Sequence, residues 1–252
     1  MRRIVLLIIA IISVFRLSAQ QKGETVSQVF VSPSNDTLPY QFLISSGMDQ
    51  TKKYPLILWL HGKGEKGNDN QKQMTLIKKW LPDSLEKENY KSFLLAPQCS
   101  EDRMWSNYDK MANEITFDTV TPEIQKSIIS LIDELSLKYP IDTTRIYIMG
   151  ISMGGFGVFD IITRYPDRFA AAIPICGGAD PKQKENLLKT PIWAFHGEKD
   201  VLVDKRHTIV PMEKLKDENH ILTKYPKTGH DAWNKAFKEK DLLRWMFGME
   251  LD

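Results

Sequence analysis

The chain has 252 residues, 42% of them hydrophobic and 26% charged, the balance of a globular protein able to bury one sizeable core. Its 34 basic and 32 acidic residues are scattered and nearly cancel, leaving a formal charge of +2. That pattern provides no basic face for nucleic acid and no electrostatic footprint for an anionic membrane surface.

At the start of the chain, Arg2 and Arg3 precede the apolar run Ile4 to Phe15, and Leu17-Ser18-Ala19-Gln20 follows. A basic start, a short apolar stretch and a small residue at the cut site read as a secretory signal over residues 1–19, cleaved after Ala19. The run is too short to span a bilayer comfortably, which places an uncleaved membrane anchor second as the alternative. Residues 20–252 are therefore expected to form one domain, secreted or periplasmic, with no stable membrane insertion once the signal is removed. Export permits disulfides, yet the chain has only two cysteines, Cys99 and Cys176.

Eight strand-like segments follow: Val26 to Val31, Tyr40 to Ile44, Leu56 to Leu60, Phe93 to Ala96, Arg145 to Met149, Ala171 to Ile175, Ile192 to Phe195 and Ile221 to Tyr225. From the third onward they are short continuous apolar runs, as parallel strands covered on both faces should be. The first two alternate more and are joined by Ser32-Pro33-Ser34-Asn35-Asp36, a hairpin-like connection. Helical patterns fill the gaps, at 70–80, 121–138, 153–164, 204–218 and 232–247. Two strands followed by alternating strand and helix predict an α/β fold with a mostly parallel sheet and an antiparallel start. Ligands of such sheets bind beyond the carboxyl ends of the strands, which is where chemistry is to be sought.

At the end of the fifth strand, Gly150-Ile151-Ser152-Met153-Gly154 leads directly into a helix. A Ser boxed by glycines between strand and helix is the context in which a strained turn holds a nucleophile out of the sheet. The plain alternative is a tight turn with no chemistry. A hydroxyl needs a base, and the base an orienting acid. Among the five histidines, only His230 follows the serine, lies just beyond a strand and is flanked by glycine, in Lys227-Thr228-Gly229-His230. Asp200 occupies the loop after the seventh strand, with Asp180 after the sixth as runner-up and Asp204 behind it. Asp231, beside the histidine, is too constrained to orient its ring.

An oxyanion site requires two N–H donors. Met153, following the serine, supplies one. The other is expected from the loop after the third strand, His61-Gly62-Lys63-Gly64, with Lys63 preferred and Gly64 second. A phosphate-binding role for that loop fits poorly, because neither glycine-rich phosphate spacing occurs there. Trp105, after the fourth strand, is a candidate cleft wall and substrate contact, whereas Trp233 and Trp245 read as core. Lys66, Asn68 and Asp69 read as solvated loop residues.

These segments together (YPLILWLHGKGEKGNDN, FLLAPQC followed by MW, IYIMGISMGGFGVFDIITRYPDRFAAAIPICGGAD, PIWAFHGEKDVLV and GHDAWNKAF) resemble the secreted α/β-hydrolases of the esterase type, often labelled predicted peptidases. That group is related to the feruloyl and acetyl-xylan esterases of carbohydrate esterase family 1. The likeness runs over roughly residues 25 to 247. It implies an eight-stranded α/β-hydrolase sheet, Ser152 as nucleophile, Asp200 as acid, His230 as base and an oxyanion hole from Lys63 and Met153. It further implies a carboxylic ester as substrate, carbohydrate-linked acetyl or feruloyl, with no cofactor or metal. Lys63 departs from the small apolar residue such loops often carry. A serine peptidase of the same fold, or a non-catalytic binding protein on this scaffold, are the alternatives. The sheet order 1-2-4-3-5-6-7-8 usual for such hydrolases separates Cys99 from Cys176 by three strand spacings, roughly 14 Å. Since a disulfide needs Cα atoms within about 7 Å, two free thiols are expected. No lid-sized insertion precedes His230, so an open cleft is expected.

Overall fold

The computed structural model describes residues 23–49, 51–109, 113–215 and 217–252; the expected signal segment lies outside the described residues. One sheet organises them, built from β1 (Glu24–Val31), β2 (Thr37–Ile44), β3 (Tyr54–Leu60), β4 (Phe93–Pro97), β5 (Ile141–Ile151), β6 (Ala171–Ile175), β7 (Ile192–Gly197) and β8 (His220–Tyr225). Their spatial order is β1-β2-β4-β3-β5-β6-β7-β8. β2 runs antiparallel to both its neighbours, and every pair from β4 to β8 is parallel. Asn35 turns the β1–β2 hairpin with φ 61°, a conformation asparagine tolerates better than most residues.

Strand alternation sorts the apolar residues into two layers. Leu56, Leu58 and Leu60 face one core together with α2 (Glu123–Lys138) and α3 (Met153–Arg164). Ile57 and Trp59 face the other, against α1 (Leu81–Lys87) and the C-terminal helices. Because both faces are covered, β3 is apolar at nearly every position rather than at every second one. Each such fully buried side chain contributes about 1.5–3 kcal/mol.

Two of the expected helices take a different form in the structure. Instead of one helix over 70–80, the chain makes two 3-10 turns, Lys72–Met74 and Ile77–Lys79, before α1 begins. Asp69 Oδ1 accepts the Gln71 and Lys72 N–H groups at 2.9 and 3.0 Å, and Gln98 Oε1 accepts that of Asn70 at 2.6 Å. Those N–H groups would be free in a first helical turn. The helix is broken instead by Asn70, whose φ is 51°, and by Glu65 Oε1, which takes at 3.3 Å the Leu76 N–H that a regular helix would bond to Lys72. Helix starts only where Pro82 suits a first turn. Residues 232–247 likewise split into α6 (Trp233–Ala236) and α7 (Leu242–Phe247). Between them Phe237 stacks on Trp80 at 4.4 Å and Glu239 accepts the Tyr225 hydroxyl at 2.7 Å. Two short helices complete the set, α4 (Lys184–Leu187) and α5 (Arg206–Leu215), the latter capped by Asp204, which accepts the Arg206 N–H at 2.9 Å. Among the described residues no helix is long and apolar enough to cross a membrane.

Candidate active site

Ser152 occupies the bend between β5 and α3 with φ 52° and ψ −117°, a region where any side chain is strained. The bend is this sharp because α3 begins against the end of β3. A Cβ on Gly154 would stand 2.0 Å from the Leu60 carbonyl oxygen, so only glycine fits. That close approach also draws the loop after β3 to the start of α3. There, Lys63 opens a 3-10 turn (Lys63–Glu65) and Met153 opens α3. First-turn N–H groups have no acceptor within their own helix, and both residues line the cavity into which Ser152 opens.

A second close approach assembles the other half. A Cβ on Gly197 would lie 2.1 Å from the Gly229 carbonyl oxygen, and the Lys199 N–H donates to the Thr228 carbonyl at 2.9 Å. The loops leaving β7 and β8 therefore lie against one another, and Asp200 meets His230. Asp200 Oδ2 is 2.7 Å from His230 Nδ1, and His230 Nε2 is 2.8 Å from Ser152 Oγ. Asp200 Oδ1 accepts the Leu202 and Val203 N–H groups at 2.9 and 3.0 Å. Burial works to raise the Asp200 carboxyl, but hydrogen bonds from His196, His230, Val203 and Leu202 outweigh it and hold the group well below the usual carboxylate range. An ionised Asp200 can only accept, so His230 carries its proton on Nδ1. Its Nε2 is then free to accept from the serine hydroxyl.

The alternative acids are occupied elsewhere. Asp180 caps the turn after β6 by accepting the Lys182 N–H at 2.9 Å and takes the Phe117 N–H at 3.2 Å. Asp204 caps α5, and Asp231 accepts from Asn234 at 3.3 Å.

Four residues of the site carried little signal in the sequence. His196 Nε2 reaches Asp200 Oδ2 at 3.2 Å, while its Nδ1 pairs with Thr208 Oγ1 at 2.8 Å. The signal was there in outline: a His-Gly ending a strand with an aspartate four residues on. Cys176 directs its thiol at Asp200, and burial pushes that thiol up to about 12. Cys176, His196 and Asp200 bring ligand-type atoms within 4.8 Å of one another. A protonated thiol and a carboxylate already holding two histidines make this a hydrogen-bonded support for Asp200, not a ready metal site. Glu65 and Trp233 also line the cavity, Trp233 standing edge-on to His230 at 5.4 Å.

Two aromatic assignments from the sequence are thereby corrected. Trp105 is 0% exposed and is no cleft wall. Its Nε1–H donates to the His61 carbonyl at 2.9 Å, and its Cβ would lie 2.6 Å from any Cβ placed on Gly157. Trp233, read as core, is the tryptophan at the cavity. Lys66 is also buried, not solvated, with its ammonium on the Glu101 carbonyl. Both cysteines are free and buried.

The cavity has a volume of about 790 Å³. Tyr108 and Phe156 stack at 4.2 Å on one side of it, and Val201 and Leu202, 92% and 74% exposed, form an apolar rim.

A mostly parallel eight-stranded sheet carrying a strained serine bend after its fifth strand, with a histidine and an acid brought in from the last two loops, defines the α/β-hydrolase class. Comparison with known proteins narrows this. Residues 41–241 match the phospholipase/carboxylesterase family, and the chain belongs to it. A probable carboxylesterase of Arabidopsis thaliana is 25% identical over 202 residues, which are 72% of this chain and 74% of that protein. A bifunctional acetylxylan esterase/xylanase of Neocallimastix patriciarum is 27% identical over 109 residues, 42% of this chain and 16% of that protein. The crystal structure of a thermostable esterase superposes with a TM-score of 0.79 at 30% identity, covering 90% of this chain and 63% of that one. A ferulic acid esterase, 17% identical with a TM-score of 0.67 over 89% of this chain and 99% of that one, shares the fold. The chain thus spans a small part of the bifunctional enzyme and under two thirds of the thermostable one.

Proposed function

We propose that the chain is a secreted serine carboxylesterase whose triad is Ser152, His230 and Asp200. The observation that carries this reading is the unbroken series of short contacts, 2.7 Å from Asp200 to His230 and 2.8 Å from His230 to Ser152, at a cavity large enough for an ester. Family membership supports the reaction class. In the proposed cycle His230 Nε2 takes the Ser152 proton as Oγ attacks the ester carbonyl carbon. Met153 and Lys63 N–H groups receive the carbonyl oxygen as it becomes negative. The tetrahedral adduct collapses, the C–O bond to the alcohol breaks, and His230 returns its proton to the leaving oxygen. Water, deprotonated by the same imidazole, attacks the acyl-serine, and the acid departs.

Carbohydrate-linked acetyl or feruloyl esters are the proposed substrates. The acetylxylan esterase relative and the ferulic acid esterase fold neighbour support that choice, as does the stacked Tyr108–Phe156 pair, a flat apolar surface suited to an aromatic acyl group. The test is twofold. A fluorophosphonate should label the wild type and not Ser152→Ala; an unlabelled wild type refutes the reading. Acetate or ferulate release from decorated polysaccharides, with aryl anilides beside aryl esters, then reads the substrate, and preference for the anilide would favour a peptidase. Export is tested by the N-terminal sequence of the mature protein, expected at Gln20.

A further inference from the structure

Among the cavity-lining groups that the proposed reaction does not use, the carboxyl of Glu65 stands out. It is only 8% exposed, and among the described residues no ammonium or guanidinium pairs with it. Its neighbours on the same turn are turned elsewhere: Lys63 is exposed, and Lys66 reaches the Glu101 carbonyl. What the carboxyl does hold is backbone. Oε2 accepts the Gly62 N–H at 3.2 Å, and Oε1 accepts the Leu76 N–H at 3.3 Å.

Gly62 is the residue whose orientation decides where the Lys63 N–H points, because the Lys63 nitrogen and the Gly62 carbonyl belong to one planar peptide unit. The Glu65 carboxylate holds the peptide before that unit, and the unit itself is held by its carbonyl. His61 Nδ1 lies 2.7 Å from the Gly62 oxygen, which also accepts the Glu65 N–H at 3.2 Å. The ring of His61 is in turn fixed by the Cys99 N–H on Nε2 at 3.0 Å and by Trp105, edge-on at 5.0 Å. Burial keeps His61 neutral, lowering it to about 4, so Nδ1 is the donor and Nε2 the acceptor.

We propose that Glu65 is a positioning residue: its carboxylate holds the Gly62 N–H, and with it the His61–Gly62 peptide that leads into the Gly62–Lys63 unit, while His61 holds the Gly62 carbonyl, so that the Lys63 N–H is aimed at the oxyanion formed on the Ser152 adduct. The inference rests on the esterase reading above. Burial pushes the Glu65 carboxyl up to about 7, against the two N–H bonds that favour its ionised form. Glutamine cannot substitute. It fills the same space but has one acceptor oxygen, and its amide N–H₂ would confront one of the two backbone donors.

The experiment compares wild type with Glu65→Gln, both quantified by fluorophosphonate labelling so that rates are expressed per reactive Ser152. The expected result is a kcat lower by about 10- to 100-fold with KM within twofold, since a misaimed donor is missed only where charge develops. Binding of a trifluoromethyl ketone, whose tetrahedral adduct carries the oxyanion, should weaken by the same factor. A purely structural role would lower thermal stability and the labelled fraction while leaving kcat per labelled site unchanged; that outcome, or a loss confined to KM, overturns the proposal. Should Glu65→Gln fail to fold, Glu65→Asp serves: shorter by one methylene, it cannot reach both donors, and a wild-type kcat per site in it likewise overturns the proposal. Absence of labelling in the wild type would instead refute the esterase reading.

Discussion

His196 and His230 converge on one oxygen: their ring nitrogens lie 3.2 and 2.7 Å from Asp200 Oδ2. The carboxylate therefore does more than orient the proposed base. It joins the loop after β7 to the loop after β8. Asp200→Asn preserves the volume but replaces one acceptor oxygen with a donor, so His230 loses the partner that keeps its proton on Nδ1. We predict a kcat lower by about 10⁴-fold with the fold retained. Steady-state kinetics with an aryl ester, beside a circular dichroism spectrum, checks both halves. A loss of under tenfold would remove Asp200 from the triad.

The bend at Ser152 stores backbone strain at the proposed nucleophile. Relative to Ser152→Ala, which keeps the Cβ, Ser152→Gly relieves a positive φ worth about 1–3 kcal/mol and incurs about 0.4–1 kcal/mol of added unfolded-state entropy. The glycine variant should be the more stable by about 1 kcal/mol, a rise in Tm of about 2–4 °C, while both are inactive. Differential scanning calorimetry of the two inert variants decides this, and equal Tm values would count against strain at the bend.

Trp105 and Trp233 have separable consequences. Trp105→Phe leaves the buried His61 carbonyl without its 2.9 Å donor and should cost about 1–3 kcal/mol of stability with KM unchanged. Trp233→Ala opens the wall beside His230 and should raise KM severalfold with a smaller stability loss. Urea denaturation and KM measured on both proteins distinguish the pair; the reverse pattern would restore Trp105 as the substrate contact.

Two buried groups at the loop after β3 titrate in opposition. The folded pKa of Glu65, about 7, lies above its ordinary 4.5, so the folded chain retains a proton the unfolded chain releases, and this contribution is lost as pH rises through 7. That of His61, about 4, lies below its ordinary 6.5, so its contribution is lost as pH falls toward 4. Between pH 4.5 and 6.5 the two slopes oppose each other. Glu65→Gln leaves the His61 slope alone. Its stability relative to wild type should therefore rise with pH, by on the order of 2 kcal/mol between pH 4.5 and 7. Urea midpoints at pH 4.5, 6 and 7.5 read this directly. Parallel curves for the two proteins would mean that Glu65 ionises normally.

Strands β3 to β7 were legible in the sequence because strands covered on both faces are apolar almost throughout, and β1 and β2 by their alternation about a hairpin turn. The serine bend was legible for a related reason: Gly150 and Gly154 stand where a strand and a helix leave no space for a Cβ. Placing Asp200 and His230 in loops at the carboxyl edge needed only strand order. Contacts between distant segments decided the rest. A helical period over 70–80 was overridden by Glu65, which takes the Leu76 N–H from eleven residues away once the loop after β3 lies beside it. Trp105 and Trp233 could not be ranked from local pattern, since which aromatic ring faces a cavity depends on what packs behind it. The service of Glu65 to the Gly62 N–H and of His196 to Asp200 was equally hidden, because a buried polar side chain declares its role only through the partner that the fold supplies.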